Sequence, residues 1–409
     1  MSTATPDTSP SGPLRGLRVF DLTRVLAGPT CAQMLGDLGA EVIKIEKPGS
    51  GDDTRGFAPP HLPGSSESAY FAGVNRNKKS VTLDIAKPEG QALALRLLAR
   101  CDILAENFKA GGLARYGLGY EQLRGAHPGL IYCSITGFGQ TGPYAPRPGY
   151  DSLVQAMGGV MSLTGEPDGL PQKVGVPVAD LFAGLYGCIG ILAALRHRAL
   201  TGEGQQVDIG LLDSHVAWLA NQGMNYLATG RDPERLGNQH PNIVPYQVFA
   251  TADGHVVLSI GNDATFRRFC EGFGLPELPQ DGRFASNAAR VQNRALVTET
   301  LAPVLARQTT AWWVERLEAA SIGCGPINRL SEVFADPQVQ ARGMVVEMDH
   351  PATSDGRVKL LANPVRLSAT PPEYRLPPPL LGQHTAEVLS GLLGLDEAAI
   401  AGLRARGVV

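Results

Sequence analysis

The strongest constraint on the fold is an alternation of strand and helix patterns near the start of the chain. Residues 17–23 alternate apolar and polar side chains as a strand does, 29–38 carry apolar residues at helical spacing, and 41–46 predict a second strand. Strand–helix–strand units build parallel sheets with right-handed crossovers. We therefore expect an α/β fold with a doubly wound, Rossmann-like large domain. The alternation continues with a helix pattern at 90–100 and strand patterns at 102–107 and 130–136.

The turn after the first strand argues against one common use of such a fold. Residues 23–29 read TRVLAGP and contain no G-x-G-x-x-G fingerprint, and the chain contains no Walker P-loop. A standard dinucleotide site is therefore not expected. The chain also lacks a G-x-S-x-G elbow, which disfavours serine-hydrolase chemistry.

The middle of the chain changes character and predicts a second domain. Residues 247–260 contain two alternating strands around an Asp-Gly pair, which is a strong hairpin signal. We predict a smaller α+β domain at 226–327. Two later strand patterns, at 343–348 and 357–361, require a sheet. Helical patterns follow the hairpin at 264–272, 295–306 and 311–320, and another lies at 385–404.

Bulk composition excludes several functional classes. The length of 409 residues suggests about two domains, and the formal net charge of −3 gives no reason to expect nucleic acid or a membrane as a partner. The apolar run 181–195 is shorter than the about 18–20 residues of a bilayer span. Six scattered cysteines without a C-x-x-C pair predict neither a disulfide framework nor a thiolate metal site. Because residues 1–13 also lack an apolar signal core, we expect a cytoplasmic protein.

A carboxylate in an unusual place is the first candidate for chemistry. Asp180 stands in GVPVADLFAG (175–184), directly before the apolar run. Ionised carboxylates are costly to bury without partners, so Asp180 is either the N-cap of a buried helix or a working group. A cap would suit the helix dipole, whereas a nucleophile would attack an activated acyl carbon. The sequence leaves both interpretations open.

Two further segments contribute candidate groups. Tyr150 and Asp151 end a Pro/Gly turn, where Asp151 is either the cap of the next helix or a second acid near Asp180. Gly261 and Asn262 follow a predicted strand, either as an ordinary turn or as a source of backbone N–H groups for an oxyanion. The histidines are not clustered at metal-ligand spacing, so no metal site is expected.

Five segments, arranged in order with Asp180, resemble one family of enzymes. Over nearly its whole length the chain resembles the class III CoA-transferases, the family of formyl-CoA transferase and carnitine CoA-transferase. Within that family, residues 237–247, 325–328 and 377–384 are most similar to the succinate–hydroxymethylglutarate branch. The five segments are LRVFDLTRVLAGP (17–29), GDLGAEVIKIE (36–46), NRNKKS (75–80), ENF (106–108) and GYD (149–151).

The resemblance implies an architecture and a mechanism. It implies an interlocked homodimer, in which the large domain is built from 14–210 and 340–409 and the small domain, 226–327, is inserted. Asp180 would attack the acyl-CoA to give a mixed anhydride, the CoA thiolate would return to form an aspartyl-CoA thioester, and the acceptor acid would then take the CoA. CoA and acyl-CoA are thus substrates, with no tightly bound cofactor. Gly261 matches the loop that covers the intermediate in the family, and Asn262 follows it.

The resemblance also assigns residues to the substrates. Tyr150 and Asp151 would lie close to the thiol end of CoA. The implied donor is succinyl-CoA and the implied acceptor a dicarboxylic acid such as glutarate or hydroxymethylglutarate. The distal carboxylate of that acid needs a cation or several N–H donors, for which Arg55, Arg76 and His240 are candidates. Contacts to CoA carry over to Leu26, Ala27, Lys47, Leu83, Ile85, Ala86, Asn107, Phe108, Arg115 and Tyr116.

Two alternative functions are weighed against the transferase. An α-methylacyl-CoA racemase is similar in sequence but needs a histidine directly before the acid at the position of Asp151, where this chain has Tyr150. A phenol with a pKa of about 10 is a poor replacement for an imidazole at about 6.5 in proton abstraction at neutral pH. A non-catalytic CoA-binding protein would keep the nucleotide contacts but would have no need for Asp180.

Overall fold

A six-stranded parallel sheet forms the centre of the computed structural model, which describes residues 12–409. The segment 1–13, which lacks a signal core, lies outside the described residues up to residue 11. The strands are β1 Arg18–Asp21, β2 Glu41–Glu46, β3 Lys78–Thr82, β4 Ile103–Glu106, β5 Ile131–Thr136 and β6 Gln206–Gly210. They pair in the order β3-β2-β1-β4-β5-β6, the order of doubly wound folds. The predicted α/β fold with a central parallel sheet is confirmed.

Helices connect the strands and cover both faces of the sheet. Most of the predicted helices end within one or two residues of the observed bounds, whereas the predicted helix at 385–404 is two helices. In chain order the helices are α1 Ala27–Asp37, α2 Ala69–Gly73, α3 Pro88–Leu98, α4 Tyr120–Leu123, α5 Asp151–Met157, α6 Val160–Leu163, α7 Val178–Thr201, α8 Leu211–Ala217, α9 Ala220–Thr229, α10 Asp263–Gly272, α11 Asn287–Gln292, α12 Arg294–Leu305, α13 Thr310–Ala319, α14 Leu330–Ala335, α15 Pro337–Ala341, α16 Thr385–Leu393 and α17 Glu397–Ala405.

Two hydrophobic cores lie on opposite faces of the sheet. Val19 and Phe20 are neighbours on β1 and belong to different cores, because successive side chains of a strand point to opposite faces. Helices α3, α16 and α17 bury apolar side chains on the Phe20 face, and α1 and α7 do so on the Val19 face. Burial on both faces explains why these strands are apolar along most of their length.

Glycines bring α7 close to the sheet and to α1. A Cβ atom on Gly184 would lie 2.5 Å from the carbonyl oxygen of Ala27, and one on Gly187 would lie 2.9 Å from Ile135. Only glycine permits this approach. With 24 residues, α7 is longer than its apolar run and has the length and hydropathy of a membrane span. Its Ala183, Cys188 and Ile191 nevertheless pack in the core beneath the sheet, as expected for a core helix of a globular protein.

The chain divides into two compact units. One comprises the described residues up to Gly158 together with Gly175–Trp218 and Gln340–Val409, and the other comprises Gly159–Val174 and Leu219–Val339. In the first unit the late strands, β10 Val345–Asp349 and β11 Arg357–Leu361, pair with each other in a separate antiparallel sheet and do not extend the central one.

The second unit contains a three-stranded antiparallel sheet. Its strands are β7 Tyr246–Ala250, β8 His255–Ser259 and β9 Gly323–Pro326. The hairpin predicted at 247–260 is present as β7 and β8. Helices α10, α12 and α13 pack aromatic and aliphatic side chains against this sheet and give the unit its own core.

Candidate active site

Asp180 lies in the first turn of α7, but it does not cap that helix. The N-cap residue is Pro177, and the side chain of Asp180, the third helical residue, makes no capping hydrogen bond. Within residues 12–409, the structure places no hydrogen-bond donor on the Asp180 carboxylate. The N-cap interpretation of Asp180 is therefore wrong, and the carboxylate is available for chemistry.

Asp151 supplies the cap that Asp180 does not. It is the first residue of α5, yet its Oδ1 atom accepts a hydrogen bond of 2.9 Å from the backbone N–H of Ala179 and a longer one of 3.5 Å from that of Asp180. Its other oxygen, Oδ2, accepts a bond of 2.7 Å from Gln155. Asp151 thus fixes the first turn of α7 against α5 and brings two carboxylates together.

The environment of Asp180 disfavours its ionised form. Burial, and after it the negative charge of Asp151, raises the pKa of Asp180 to about 7. A carboxylate that is partly desolvated and accepts no hydrogen bonds keeps its lone pairs available for attack. Carboxyl groups with pKa values raised in this way concentrate at functional sites, and this arrangement suits a nucleophile that works near neutral pH.

Two tyrosines lie near the carboxylates, of which sequence reasoning identified one. Tyr150 is the N-cap residue of α5, and its side chain is 69% exposed. Tyr70, on α2, stands edge-on to Phe57 with 5.5 Å between ring centroids. Burial, followed by the charges of Asp180 and Asp151, raises the pKa of Tyr70. Tyr70 was missed because it occurs in a polar segment without any motif.

His215 is a second residue that no sequence pattern indicated. It lies on α8, is fully buried, and has no hydrogen-bond partner for either ring nitrogen within the described residues. Its ring rests against Gly158 at the end of α5, where a Cβ atom would lie 2.4 Å from the imidazole. Burial lowers the pKa of His215 and favours the neutral ring.

In the part of the chain that the structure describes, no group of three or more His, Cys, Asp or Glu side chains could hold a metal ion.

A cavity of about 360 Å³ opens at the carboxyl ends of the central strands. It lies where the chain leaves β1 and β4, which is the point where the strand order reverses and where doubly wound sheets bind ligands. Arg24, Asp52 and Asp53 also line it and were not predicted. Of the residues predicted to contact CoA, the cavity is lined by Lys47, Leu83, Ile85, Ala86, Phe108 and Tyr116.

The remaining predicted CoA residues border this cavity or the turn after β1. The Asn107 side chain accepts a bond of 2.9 Å from the Arg24 backbone N–H and donates one of 2.6 Å to its carbonyl. Arg115 stacks on Tyr116, with 4.6 Å from the guanidinium carbon to the ring centre. Leu26 and Ala27 are buried at the start of α1. Because Ala27 contacts α7 one turn beyond Asp180, at Gly184, this turn lies near the candidate nucleophile.

Two of the three residues predicted to bind the distal carboxylate are engaged elsewhere. Arg76 is buried, donates two hydrogen bonds to Asp37, and donates a third to the carbonyl of Leu361. Arg55 donates to Glu46 and Glu67 and to a main-chain carbonyl. These ion pairs give both arginines a structural role and argue against direct contact with the substrate.

The other predicted residues lie in the second unit. His240 is half-buried and accepts a bond of 3.1 Å from the backbone N–H of Asn242. Asn262 is the N-cap of α10 and accepts a bond of 2.9 Å from the N–H of Thr265. Gly261 is exposed, and a Cβ atom at this position would meet no neighbour within 4 Å.

Comparisons with known proteins identify the family of this chain. Residues 14–385 match the sequence profile of CoA-transferase family III. A succinate–glutarate CoA-transferase of Agrobacterium fabrum is 50% identical over 95% of this chain and 97% of its own, and the human succinyl-CoA:glutarate CoA-transferase is 44% identical over 97% and 90%. The crystal structure of a CAIB/BAIF family protein from Brucella suis covers 93% of this chain and 99% of its own at 48% identity, with a TM-score of 0.82.

The fold, the pair of carboxylates at the start of α7 and the sequence comparisons agree on one assignment. The site offers the half-buried carboxyl group of Asp180 and a cavity lined by six of the ten residues expected to contact CoA. The match to the family profile extends over most of the chain, from the first strand to the start of α16. The protein therefore belongs to CoA-transferase family III and is an enzyme of that class.

Proposed function

We propose that this enzyme transfers CoA from succinyl-CoA to a dicarboxylic acid of the glutarate class through a covalent thioester on Asp180. The observation that carries the proposal is the Asp180 carboxyl group, which accepts no hydrogen bond within residues 12–409 and whose pKa burial raises to about 7. The substrates named for the Agrobacterium and human relatives support the choice of donor and acceptor.

The proposed reaction transfers CoA from one carboxylic acid to the other without consuming water. An oxygen of Asp180 attacks the thioester carbonyl, the C–S bond breaks, and the CoA thiolate leaves with the electron pair, which gives a succinyl–aspartyl anhydride. The thiolate attacks the aspartyl carbonyl and releases succinate, so that an aspartyl-CoA thioester forms. The acceptor carboxylate attacks this thioester and makes a second anhydride. The released thiolate then takes the acceptor acyl group and restores the carboxylate.

The neighbouring residues have supporting roles in this proposal. Asp151 holds the first turn of α7 in place, and its charge adds to the effect of burial, which raises the pKa of Asp180 to about 7. Tyr150 is proposed to meet the thiol end of CoA, and the cavity at the carboxyl ends of the strands to hold the nucleotide end. The exposed backbone at Gly261 and Asn262 is proposed to cover the thioester intermediate and exclude water.

His240 remains as the candidate that recognises the distal carboxylate of the acceptor. Burial, and after it the positive charge of Arg294, lowers the pKa of His240, so we propose recognition by hydrogen bonding from a neutral ring. Arg55 and Arg76 are not proposed for this role because their guanidinium groups are held by buried acids.

We also propose an interlocked homodimer, with both chain ends in the large domain. The outward side of α7 supports association, because Leu185, Ile189 and Leu192 are exposed along one helix. The second copy of this chain is the proposed occupant of that face.

The six cysteines, none of which forms a disulfide in the structure, fit a reducing cytoplasm.

A matched pair of acceptors tests the substrate class. Glutarate and valerate have the same carbon chain and differ in the distal carboxylate. With succinyl-CoA as donor, we expect glutarate to give a kcat/KM about a hundredfold or more above that of valerate, because a site built for a second carboxylate leaves polar groups unpaired without it. Equal values would contradict a dicarboxylate acceptor.

A second assay separates the transferase from the racemase. The racemase predicts exchange of the Cα proton of a 2-methylacyl-CoA, which is followed as deuterium uptake from heavy water. We expect CoA transfer to glutarate and no deuterium uptake, since Tyr150 occupies the position where that enzyme needs histidine. Deuterium uptake without transfer would overturn the proposed function.

A further inference from the structure

Glu106 is a buried acid that the proposed mechanism does not use. It is the last residue of β4, and only 5% of it is exposed. The chain continues directly into Asn107 and Phe108, which border the cavity proposed to bind CoA. A carboxyl group in such a position needs a physical reason, because burying it is costly.

The first contact of Glu106 is with the backbone of the cavity wall. Its Oε2 atom accepts a hydrogen bond of 2.7 Å from the N–H of Phe108, two residues further along the chain. This bond fixes the bend through which the chain leaves the sheet. The ring of Phe108 lines the cavity, and the guanidinium of Arg24 lies over it at 5.2 Å from the ring centre.

Asn107, which lies between Glu106 and Phe108, links the same bend to Arg24. The side chain of Asn107 bonds both the N–H and the carbonyl of Arg24, and the guanidinium of Arg24 also pairs with Asp53 at 3.1 Å. Arg24 and Asp53 line the cavity as well. The position of the cavity wall therefore depends on the bend that begins at Glu106.

The second contact of Glu106 is across the sheet. Ser134 is its register neighbour on β5, and the buried hydroxyl of Ser134 interacts with the Glu106 carboxyl group and offsets part of the effect of burial on its pKa. Burial raises the pKa of Glu106 to about 7, so its carboxyl group carries a proton much of the time near neutral pH. A protonated carboxyl can donate to this hydroxyl while its other oxygen accepts from Phe108.

We propose that Glu106 is a positioning residue for CoA, which holds Phe108 and the neighbouring Arg24 at the cavity wall through its bond to the Phe108 N–H. This inference rests on the proposal that the cavity binds CoA. Glu106 touches no reacting atom, so its removal should weaken binding of acyl-CoA and leave the chemical step nearly intact.

Steady-state kinetics with succinyl-CoA and glutarate test this role. For Glu106→Ala we expect KM for succinyl-CoA to rise about tenfold and kcat to change by less than about threefold. Glu106→Gln should stay within about threefold of wild type in both, because an amide can accept from Phe108 and donate to Ser134. Glu121→Ala is the matched control, since Glu121 is an exposed acid that pairs with the exposed Arg124. If Glu106→Ala does not fold, Glu106→Asp replaces it, because the shorter side chain withdraws the acceptor from Phe108.

A double variant shows whether Glu106 acts through Phe108. Phe108→Ala should raise KM for succinyl-CoA, and adding Glu106→Ala should raise it no further. If Phe108→Ala leaves KM unchanged, the assignment of the cavity to CoA is wrong. If Phe108→Ala raises KM but Glu106→Ala does not, or if the two effects multiply, the cavity assignment survives and the role of Glu106 is overturned.

Discussion

Charged side chains beside the central sheet and at the start of α7 differ in whether the structure provides partners for them. Beside the sheet, Lys44 lies 2.8 Å from Asp52 and Lys78 lies 3.2 Å from Asp21, and all four side chains are inaccessible to solvent. At the start of α7, the Asp180 carboxylate accepts no hydrogen bond within residues 12–409. Buried ion pairs hold the structure together, whereas the half-buried Asp180 has the raised pKa that concentrates at functional sites.

The pKa values of Lys44, Glu46 and Asp180 reflect this difference, whereas at Lys78 burial prevails over the charge of Asp21 and lowers the pKa to about 8. Burial alone would lower the pKa of Lys44, but the charges of Asp52 and Asp21 outweigh it, and the net shift is upward. Burial would likewise raise the pKa of Glu46, and Arg55 reverses the shift. At Asp180, burial and after it the negative charge of Asp151 both raise the pKa.

Asp180→Asn should have the largest effect on CoA transfer while the protein remains folded. An amide of the same shape is no nucleophile, so transfer should fall by about three orders of magnitude or more. The folded-state pKa of about 7 lies above that of an unfolded Asp, so the wild type loses stability as pH rises toward 7. The variant should therefore have a higher Tm than wild type at pH 8 and the same Tm near pH 4. A lower Tm than wild type at pH 8 would contradict the account.

Arg76→Ala should instead affect mainly the stability of the protein. It leaves Asp37 buried without its cation, which should cost about 3–5 kcal/mol in the free energy of unfolding. The exposed pair of Arg124 with Glu121 provides the control, and Arg124→Ala should cost less than about 1 kcal/mol. Urea unfolding measures both. A stable Arg76→Ala protein with a raised KM for glutarate alone would restore Arg76 as a substrate-binding residue.

Asp151→Asn should have the smallest effect of the three variants, and the effect should be specific to the pH dependence of kcat/KM. It removes the like charge beside Asp180, so the pKa of Asp180 should fall and the acidic limb of the kcat/KM profile should move to lower pH. The amide oxygen can still accept from the Ala179 N–H, whereas Asp151→Ala should lose about 0.5–2 kcal/mol of capping stability. An acidic limb that stays in place for Asp151→Asn would show that Asp151 does not tune Asp180.

Sequence patterns predicted the sheet better than they predicted the site. The bounds predicted for β2 agree with the structure, because half of its residues are the β-branched Val42, Ile43 and Ile45. The strands β3 and β6 were missed, since KKSVT contains one apolar β-branched residue and QVDIG contains two. In β3 the charged Lys78 is buried with Asp21 on β1, a partner that only the fold reveals.

Within the site, sequence patterns identified residues in recognisable motifs. They did not reveal roles that depend on a contact with a residue distant in the chain. Asp180 and Asp151 could be singled out because each carboxylate stands at a helix start, but no pattern indicated that Asp151 caps α7. Arg76 was assigned to substrate because its partner, Asp37, lies 39 residues away in the chain. Arg24 lies in the family-like segment 17–29 without having been assigned a contact, and His215 carries no motif, so the surroundings of both emerge only from the three-dimensional arrangement.

Intact-protein mass spectrometry after brief incubation with succinyl-CoA tests the central claim most directly. The account predicts a covalent CoA adduct on the wild type that disappears when glutarate is added, the same adduct on Asp151→Asn, and none on Asp180→Asn. Transfer to glutarate without any adduct on the wild type, or a persistent adduct on Asp180→Asn, would contradict the assignment of Asp180 as the nucleophile.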